Sequence, residues 1–236
     1  MLIPPGLHSA LWDFFIVLQT IVTLLVLTEG VSSISRASRS RKEIRSAALK
    51  GFPIDETAPK IDLIYPCYLP NEQDIILTRI RYALREIKYP KNRLTFWFLY
   101  NTPVEIPLLE DQMKSLETSH QQLRVIKVAG SKSKADNINY FLNKIPNTGS
   151  DIISIFDADH YPDADNLMWV ATRFLKGDVD IVQGRSCVYN YSETWLSKLV
   201  AAEFDTIYGV SGVKYFHSSK AYSLIYLSMR CWLFIL

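Results

Sequence analysis

The sequence is poor in cysteine and lacks the glycine-rich loops that hold phosphates. Its three cysteines, Cys67, Cys187 and Cys231, lie far apart, and neither a CxxC pair nor a zinc-type Cys/His spacing occurs. This spacing argues against structural zinc and against a disulfide framework, and a reducing, cytoplasmic setting is expected. Because neither a GxxxxGK[ST] loop nor a GxGxxG turn is present, a nucleotide would have to be held in another way.

The chain also lacks a strong charge of either sign. Its 236 residues carry a formal net charge of +2, and the pI is near 8.3. Without a basic field, binding to nucleic acid is not expected. A hydrophobic content of 48% supports the core of one domain with an appendage.

A long apolar run, Leu11 to Leu27, lies near the N-terminus. It is as long as the ~17 residues that a bilayer span needs, so we expect a transmembrane helix. A buried or interfacial helix is the alternative, because Asp13 has to reach water. A cleaved signal peptide is disfavoured, since no basic residue precedes the run.

A basic segment follows the apolar run. It contains Arg36, Arg39, Arg41, Lys42, Arg45 and Lys50, opposed by Glu43 alone. The positive-inside tendency therefore predicts that the following domain lies on the cytoplasmic side of a membrane. The same segment is suited to contact with anionic lipid headgroups.

Apolar strands and amphipathic helices alternate through the middle of the chain. We predict strands at Ile61–Tyr65, Leu94–Tyr100 and Leu123–Val128, in the run after Asp151, and at Val179–Gln183. Helices are predicted from Ile76 to Ile87, within Glu105–His120, from Ala135 to Ile145, at Asn166–Leu175 and from Glu193 to Tyr208, the last with Trp195 and Leu199 facing inward. This alternation indicates an α/β fold with a largely parallel sheet of five strands.

Two carboxylates, Asp157 and Asp159, follow the strand after Asp151, which reads as buried on both faces. Ligands of open α/β sheets bind at the carboxyl ends of strands, and a divalent ion such as Mg²⁺ or Mn²⁺ offsets the repulsion of paired carboxylates. A solvated turn or helix cap is the alternative. A calcium loop is excluded, because Pro162 and Met168 occupy the positions that need Gly and Glu.

Lys134 lies at the start of a predicted helix. The helix dipole disfavours a cation there, but the position suits a group that grips an anionic ligand. A solvated loop lysine is the alternative interpretation.

Several motifs then occur in a characteristic order. They are Ile64-Tyr-Pro-Cys-Tyr-Leu-Pro-Asn-Glu72, Lys134-Ala-Asp-Asn-Ile-Asn139, Phe156-Asp-Ala-Asp159 and Val182-Gln-Gly184. Across Lys60 to Gly209 the chain resembles the family-two glycosyltransferases of the GT-A fold. With its N-terminal apolar helix it is similar to their membrane-bound, polysaccharide-forming branch, which includes cellulose and hyaluronan synthases.

This resemblance implies a GT-A-type, Rossmann-like, mostly parallel sheet flanked by helices. It implies inverting transfer of a sugar from a nucleotide diphosphate sugar, most often a UDP sugar, to a glycan or lipid acceptor. The implied roles place Tyr68 and Glu72 near the base and ribose and Lys134 near the diphosphate. They place Asp157 near the donor sugar, with Asp157 and Asp159 holding Mg²⁺ or Mn²⁺.

The chain departs from the family pattern at two points. Asn101 stands where the family usually has an Asp that reads the base, and Asn both donates and accepts. No later Glu-Asp or Asp-Asp motif supplies the general base of an inverting transfer, so the catalytic residue is unassigned, and Glu203 reads as a surface acid. A non-catalytic nucleotide-sugar-binding protein is therefore the rival hypothesis. A nucleotidyltransferase is disfavoured, because Pro66 to Asn71 contains no glycine.

The expected organisation has four parts. They are an N-terminal membrane helix (1–30), a basic juxtamembrane segment and linker (31–59), an incomplete GT-A domain (60–210) and an atypical hydrophobic tail (211–236). The tail lacks acidic residues, and the resemblance stops abruptly before it. We therefore expect a truncated or frame-shifted product of a longer synthase; a second membrane segment at Ala221–Leu236 is the rival interpretation, but it is short and contains Arg230.

Overall fold

A computed structural model describes residues 5–50, 55, 57–145, 147–177, 179–206 and 221–231. The strands are β1 (Ile61–Tyr68), β2 (Leu94–Asn101), β3 (Leu123–Lys127), β4 (Ile152–Ile155), β5 (His160–Tyr161), β6 (Ile181–Val188) and β7 (Ala221–Cys231). The helices are α1 (Pro5–Lys50), α2 (Leu69–Glu72), α3 (Ile76–Glu86), α4 (Pro107–Ser119), α5 (Lys134–Lys144), α6 (Asn166–Leu175) and α7 (Trp195–Thr206).

The central sheet has the order β3-β2-β1-β4, and all of its pairings are parallel. Ile61 pairs with Leu94 of β2 and with Ile152 of β4, so the three strands run in register and their carboxyl ends share one edge. A parallel pair needs a crossover connection, and the helices between these strands supply it. The predicted α/β class with a mostly parallel sheet flanked by helices is confirmed.

Both faces of the central sheet are covered in its middle. On one face, alternate β1 side chains such as Leu63 and Tyr65 pack with α3, α4 and α6, and the Tyr65 ring stacks on Phe98 at 4.5 Å between centroids. On the other face, Ile64 and Trp97 pack against α5, where the Trp97 and Phe141 rings meet edge to face. Helices on both faces explain why β1 and β2 read as nearly continuous apolar runs.

Helix α3 forms as its periodicity predicts. Ile76, Ile80 and Ala83 are buried on the core side, and the helix ends four residues before Pro90. Proline has no N–H to continue the hydrogen-bond pattern and disfavours helical backbone in the residue before it. The apolar stripe therefore sets both the existence of this helix and the face it buries.

The prediction that β4 is buried on both faces is wrong. Ile152 is buried, but Ile153 and Ile155 are 47% and 46% exposed. Strand β4 lies at the edge of the central sheet, and its second face borders an open cleft rather than a packed helix. An apolar run alone cannot distinguish a central strand from an edge strand whose outer face is uncovered.

The predicted fifth parallel strand also lies elsewhere. Strand β6 belongs to a second, three-stranded sheet of order β5-β7-β6, in which β7 is parallel to β6 and antiparallel to β5. The central sheet thus has four strands in the described part of the chain, not five. Strand pairing depends on long-range partners, which local periodicity does not specify.

The C-terminal part differs from the expectation in its side-chain directions. Helix α7 lies within the predicted 193–208 range, but Trp195 and Leu199 are 74% and 57% exposed rather than inward, while Glu203 is exposed as expected. Residues 221–231, within the interpreted second membrane segment, form the strand β7. Tyr208 and residues 211–220 and 232–236 of the expected tail lie outside the described residues.

Helix α1 is continuous through 46 residues, across the predicted boundary at residue 30 and through the basic segment to Lys50. Its stretch His8–Ser32 is apolar and long enough to cross a membrane. None of the apolar side chains described there is buried by the rest of the chain. The helix thus presents an apolar half followed by a basic half.

Candidate functional site

The carboxyl edge of the central sheet gathers most of the predicted site residues. Tyr68 ends β1 and pairs with Asn101, which ends β2. Phe156 continues from β4 through a hydrogen bond from its N–H to the Ile64 carbonyl, which places Asp157 beyond the same edge. Ligands of parallel α/β sheets bind at this edge, because the loops that follow the strands diverge there.

Lys134 connects the first turn of α5 to this edge. Its Nζ lies 2.9 Å from Asp157 Oδ1 and 3.9 Å from Glu72 Oε1. The helix start is held by Ser133, whose hydroxyl accepts a hydrogen bond from the Asp136 N–H. Partial burial opposes the charge of Lys134, but Asp157, Glu72 and Asp159 outweigh it and raise the pKa of the ammonium. Lys134 is therefore a fixed cation at neutral pH.

Asp157 is the partner that remains ionised. Partial burial would raise its pKa, but the hydrogen bond and charge of Lys134, with a smaller effect from His160, lower it. The side chain is nonetheless about half exposed. Asp157 thus combines a stable negative charge with access from outside.

Glu72 behaves differently, although it faces the same lysine. Its residue is 8% exposed, and burial raises the pKa of the carboxyl to about 7 despite Lys134. Asp159 and Asp157 add to the rise. Glu72 Oε2 is buried and has no hydrogen-bond partner among the residues that the structure describes. Near neutral pH this carboxyl is therefore poised between its acid and its carboxylate.

Asn137, which the sequence patterns did not single out as a site residue, ties the strand ends together. It is fully buried, and its Nδ2 lies within 3.2 Å of the Cys67 carbonyl, the Leu99 carbonyl and Asn101 Oδ1. Asn101 Nδ2 in turn donates to the Ser131 carbonyl. Both polar atoms of the Asn101 side chain are thus engaged within the chain, and a contact with a base stays a prediction. Tyr68 is half-buried at the end of β1.

A cluster suited to a divalent cation lies beside Lys134. Asp157, Asp159 and His160 each offer a ligand atom, and the three atoms lie within 4.8 Å of one another. Burial lowers the pKa of His160 although Asp159 and Asp157 oppose the shift, which favours the neutral imidazole that can bind a metal. Two carboxylates and an imidazole fit Mn²⁺, and the carboxylates alone suit Mg²⁺.

His160 was not predicted as a site residue. It directly follows Asp159, but an isolated histidine carries no spacing signal. The tight turn that begins at Asp157, closed by a hydrogen bond from the His160 N–H to the Asp157 carbonyl, brings its ring to the carboxylates.

A cleft of about 550 Å³ opens next to this cluster, between β4, α6 and β6. Asp157 and His160 form part of its wall, and most of its remaining lining is apolar, including Ile153, Ile155 and Ile181. The ionic cluster therefore lies at the border between the sheet edge and an apolar space.

The chain is similar in sequence to a known synthase. It is 24% identical over 200 residues to the beta-monoglucosyldiacylglycerol synthase of Nostoc sp. strain PCC 7120, a match that covers 84% of this chain and 39% of that protein. The chain is a glycosyltransferase homologue. The resemblance inferred from the ordered motifs is thereby confirmed, and this glycosyltransferase homologue spans about two fifths of the relative's length. No protein-family model matches it.

Two solved structures resemble the glycosyltransferase homologue. The first is the mannosyltransferase PcManGT from Pyrobaculum calidifontis in complex with GDP-Man and Mn²⁺, with a TM-score of 0.46, 18% identity and coverage of 76% of this chain and 50% of that one. The second is S. aureus TarS 1–349 in complex with UDP-GlcNAc, with a TM-score of 0.42, 16% identity and coverage of 57% and 36%.

Proposed function

We propose that residues 60–210 form the donor-binding domain of a membrane-associated glycosyltransferase that uses a nucleotide diphosphate sugar. The carrying observation is the convergence of one fixed cation, Lys134, with three potential metal ligands, Asp157, Asp159 and His160, at the carboxyl edge of the sheet. A diphosphate needs positive charge, and a carboxylate cluster needs a cation. A diphosphate bound with a divalent ion meets both needs.

Lys134 is the residue that would contact the diphosphate. Its contact with Asp157 holds the ammonium at the sheet edge, where it can exchange one anionic partner for another without moving far. The start of α5 adds backbone N–H groups that favour an anion. In a transfer reaction, negative charge grows on the leaving diphosphate, so a fixed cation stabilises the transition state more than the bound donor.

Asp157, Asp159 and His160 would hold Mg²⁺ or Mn²⁺. When bound, such an ion supplies positive charge that stabilises the departing diphosphate. The residues contribute a preformed ligand set: Asp157 stays ionised through Lys134, and His160 stays neutral through burial. Both protonation states suit metal binding at neutral pH.

Tyr68 and Glu72 would receive the nucleoside. Glu72 has a pKa of about 7, so it can accept a hydrogen bond from a hydroxyl or donate one to a carbonyl oxygen. Asn101, whose Oδ1 accepts a hydrogen bond from Asn137, would lie beside Tyr68 at the end of β2. A uridine nucleotide is the donor proposed from the motifs, and transfer with inversion is the stereochemical course.

A glycan or a lipid would be the acceptor, and the name of the Nostoc relative, a glucosyldiacylglycerol synthase, supports a lipid. Helix α1 supports a membrane location, because its apolar stretch His8–Ser32 is uncovered by the chain and spans about 37 Å at ~1.5 Å per residue. The basic half that follows favours the cytoplasmic face for the domain. Protease added to sealed inside-out vesicles should then cleave the domain.

Calorimetric titration of the full chain in detergent tests the donor site. UDP, UDP sugars and GDP-mannose are titrated with and without Mn²⁺ into the wild-type protein, into Asp159→Ala and into a matched control, Asp163→Ala, which alters an acid on the same loop outside the cluster. We expect UDP-sugar binding that requires both Mn²⁺ and Asp159 and is unchanged in the control.

The outcomes separate the two classes of function. Metal-dependent binding with release of UDP and a transferred sugar supports the enzyme, whereas tight binding without turnover favours a nucleotide-sugar-binding protein. Preference for GDP-mannose would overturn the uridine assignment. Absence of binding to every nucleotide would overturn the proposed function.

A further inference from the structure

Helix α3 grips the segment that follows the ionic cluster. Arg79 and Tyr82 lie three residues apart on this helix, on one face, and together form what we name the α3 clamp. The Arg79 guanidinium lies 3.3 Å from the centroid of the Tyr161 ring, and the Tyr82 ring meets the same ring edge to face at 4.8 Å. The Tyr82 hydroxyl donates a 2.7 Å hydrogen bond to the Pro162 carbonyl.

The position of the clamp connects it to the candidate metal ligands. Tyr161 directly follows His160 and is separated from Asp159 by one residue. The chain from Asp157 to His160 is a tight turn closed by the hydrogen bond from the His160 N–H to the Asp157 carbonyl. Fixing Tyr161 and Pro162 therefore limits how far the exit of this turn can move.

Arg79 is an unusual residue for a merely structural role. It is 2% exposed, and its Nε and Nη1 atoms have no hydrogen-bond partner in the part of the chain that the structure describes. Burial lowers the pKa of Arg79 to about 10, with Asp159 opposing the shift, so the group stays charged at neutral pH. A buried charge without a paired carboxylate is costly, and an apolar side chain would fill the same volume without that cost.

The positive charge of Arg79 can offset the repulsion between the nearby carboxylates. Asp157 and Asp159 repel each other, and Asp159 is a carboxylate whose field acts on Arg79. No salt bridge joins the two among the described residues, so Arg79 does not occupy the oxygens that a metal needs. Arg79 places positive charge near Asp159 while its planar group stacks on Tyr161. Lysine could supply the charge but not the planar stacking.

We propose that Arg79 is a positioning residue that, through its stacking on Tyr161, holds Asp157, Asp159 and His160 in one ligand cluster. The expected effect of Arg79 on metal binding rests on the proposed function of the cluster. Its effect on the position of the loop does not depend on that function. Tyr82 assists by fixing Pro162.

Two measurements on the full chain in detergent test this inference. The variants are Arg79→Met, which removes the charge and the planar group, Arg79→Lys, which keeps the charge, and Tyr82→Phe, a milder change that loses only the hydroxyl. Arg81→Met is the matched control, because Arg81 is exposed on the same helix. Hydrogen exchange of residues 157–162 is followed in chelator, with β2 as the internal reference, and Mn²⁺ is then titrated calorimetrically.

We expect Arg79→Met to speed exchange in 157–162 about tenfold, the size of a lost desolvated cation–π contact, and to weaken Mn²⁺ binding by a similar factor. Arg79→Lys should recover part of both effects, Tyr82→Phe should show a smaller rise in exchange, and Arg81→Met should match the wild type.

Unchanged exchange in 157–162 in both Arg79→Met and Tyr82→Phe would overturn the positioning role. A uniform rise that includes β2 would also overturn it, since it would show general destabilisation. If the wild-type protein fails to bind Mn²⁺, the metal part of the proposed function falls, and the exchange data still decide whether the α3 clamp holds the loop.

Discussion

Lys134 Nζ lies 2.9 Å from Asp157 Oδ1, and this contact joins the first turn of α5 to the end of β4. The two residues are 23 positions apart in the chain and come from separate motifs. Their contact places a cation and a potential metal ligand at one point of the sheet edge. The contact thus links two sequence motifs for which a solvated lysine and a solvated turn were the alternative interpretations.

Removing the charge of Lys134 tests its role toward the diphosphate. We expect Lys134→Gln to weaken UDP-sugar binding about 10- to 100-fold, because a hydrogen bond to a charged group contributes roughly 1.5–3 kcal/mol. Calorimetric titration in the presence of Mn²⁺ measures the change. Lys132→Gln is the control, since Lys132 is exposed two residues earlier. Equal affinity in Lys134→Gln and the wild type would remove Lys134 from the donor site.

His160 is the potential metal ligand that only the folded chain identifies. We expect His160→Ala to weaken Mn²⁺ binding by at least about tenfold. Even residues that only hydrogen-bond to a metal ligand typically have effects of this size. Isothermal titration with Mn²⁺ alone gives the affinity. His120→Ala is the control, because His120 lies exposed at the end of α4. A Mn²⁺ affinity that survives the loss of the imidazole would limit the ligands to the two carboxylates.

Asn137 should matter for stability as well as for the site. We expect Asn137→Ala to lower the free energy of unfolding by about 3 kcal/mol, because buried acceptors such as the Cys67 and Leu99 carbonyls lose a donor. Thermal unfolding should show a decrease in Tm of roughly 5–10 °C. The comparison is Asn139→Ala on the exposed side of the same helix. Equal Tm values for the two variants would contradict the bracing role.

The raised pKa of Glu72 should make the stability of the folded protein depend on pH. The folded pKa of about 7 exceeds the ordinary value of 4.5 for a glutamate carboxyl, so the folded protein binds the proton more tightly than the unfolded chain does. Stability should therefore fall as pH rises from about 4.5 to about 7 and stay level above that range. The contribution is on the order of 3 kcal/mol at full effect.

Glu72→Gln removes this titration. We expect the variant to match the wild type near pH 4.5 and to be the more stable protein at pH 8, as measured by thermal unfolding across pH. Glu86→Gln, an exposed acid on α3, provides the reference curve. A wild-type protein that gains stability between pH 5 and 7 relative to Glu72→Gln would show that Lys134 outweighs burial at this carboxyl.

The sequence by itself determined the local elements and suggested several candidate site residues. The stripe of Ile76, Ile80 and Ala83 specifies α3, because an apolar period of 3.6 residues has one way to be buried. The alternation of strands and helices specified a parallel sheet, and parallel strands collect their carboxyl ends at one edge. That rule predicted Asp157 and Asp159 as ligand groups, whereas Lys134 was predicted from its position at a helix start.

The tertiary structure alone decided the remaining features. It assigned β6 to a second sheet, left Ile153 and Ile155 on an open edge, and brought His160, Asn137 and Arg79 to the site. Apart from His160, which a local turn places, these features depend on contacts between residues far apart in the chain, such as Arg79 with Tyr161. Periodicity and motif spacing report only on neighbours. Strand partners, buried polar contacts and aromatic stacking form only when the helices and strands pack together, so they can be observed only in the folded structure.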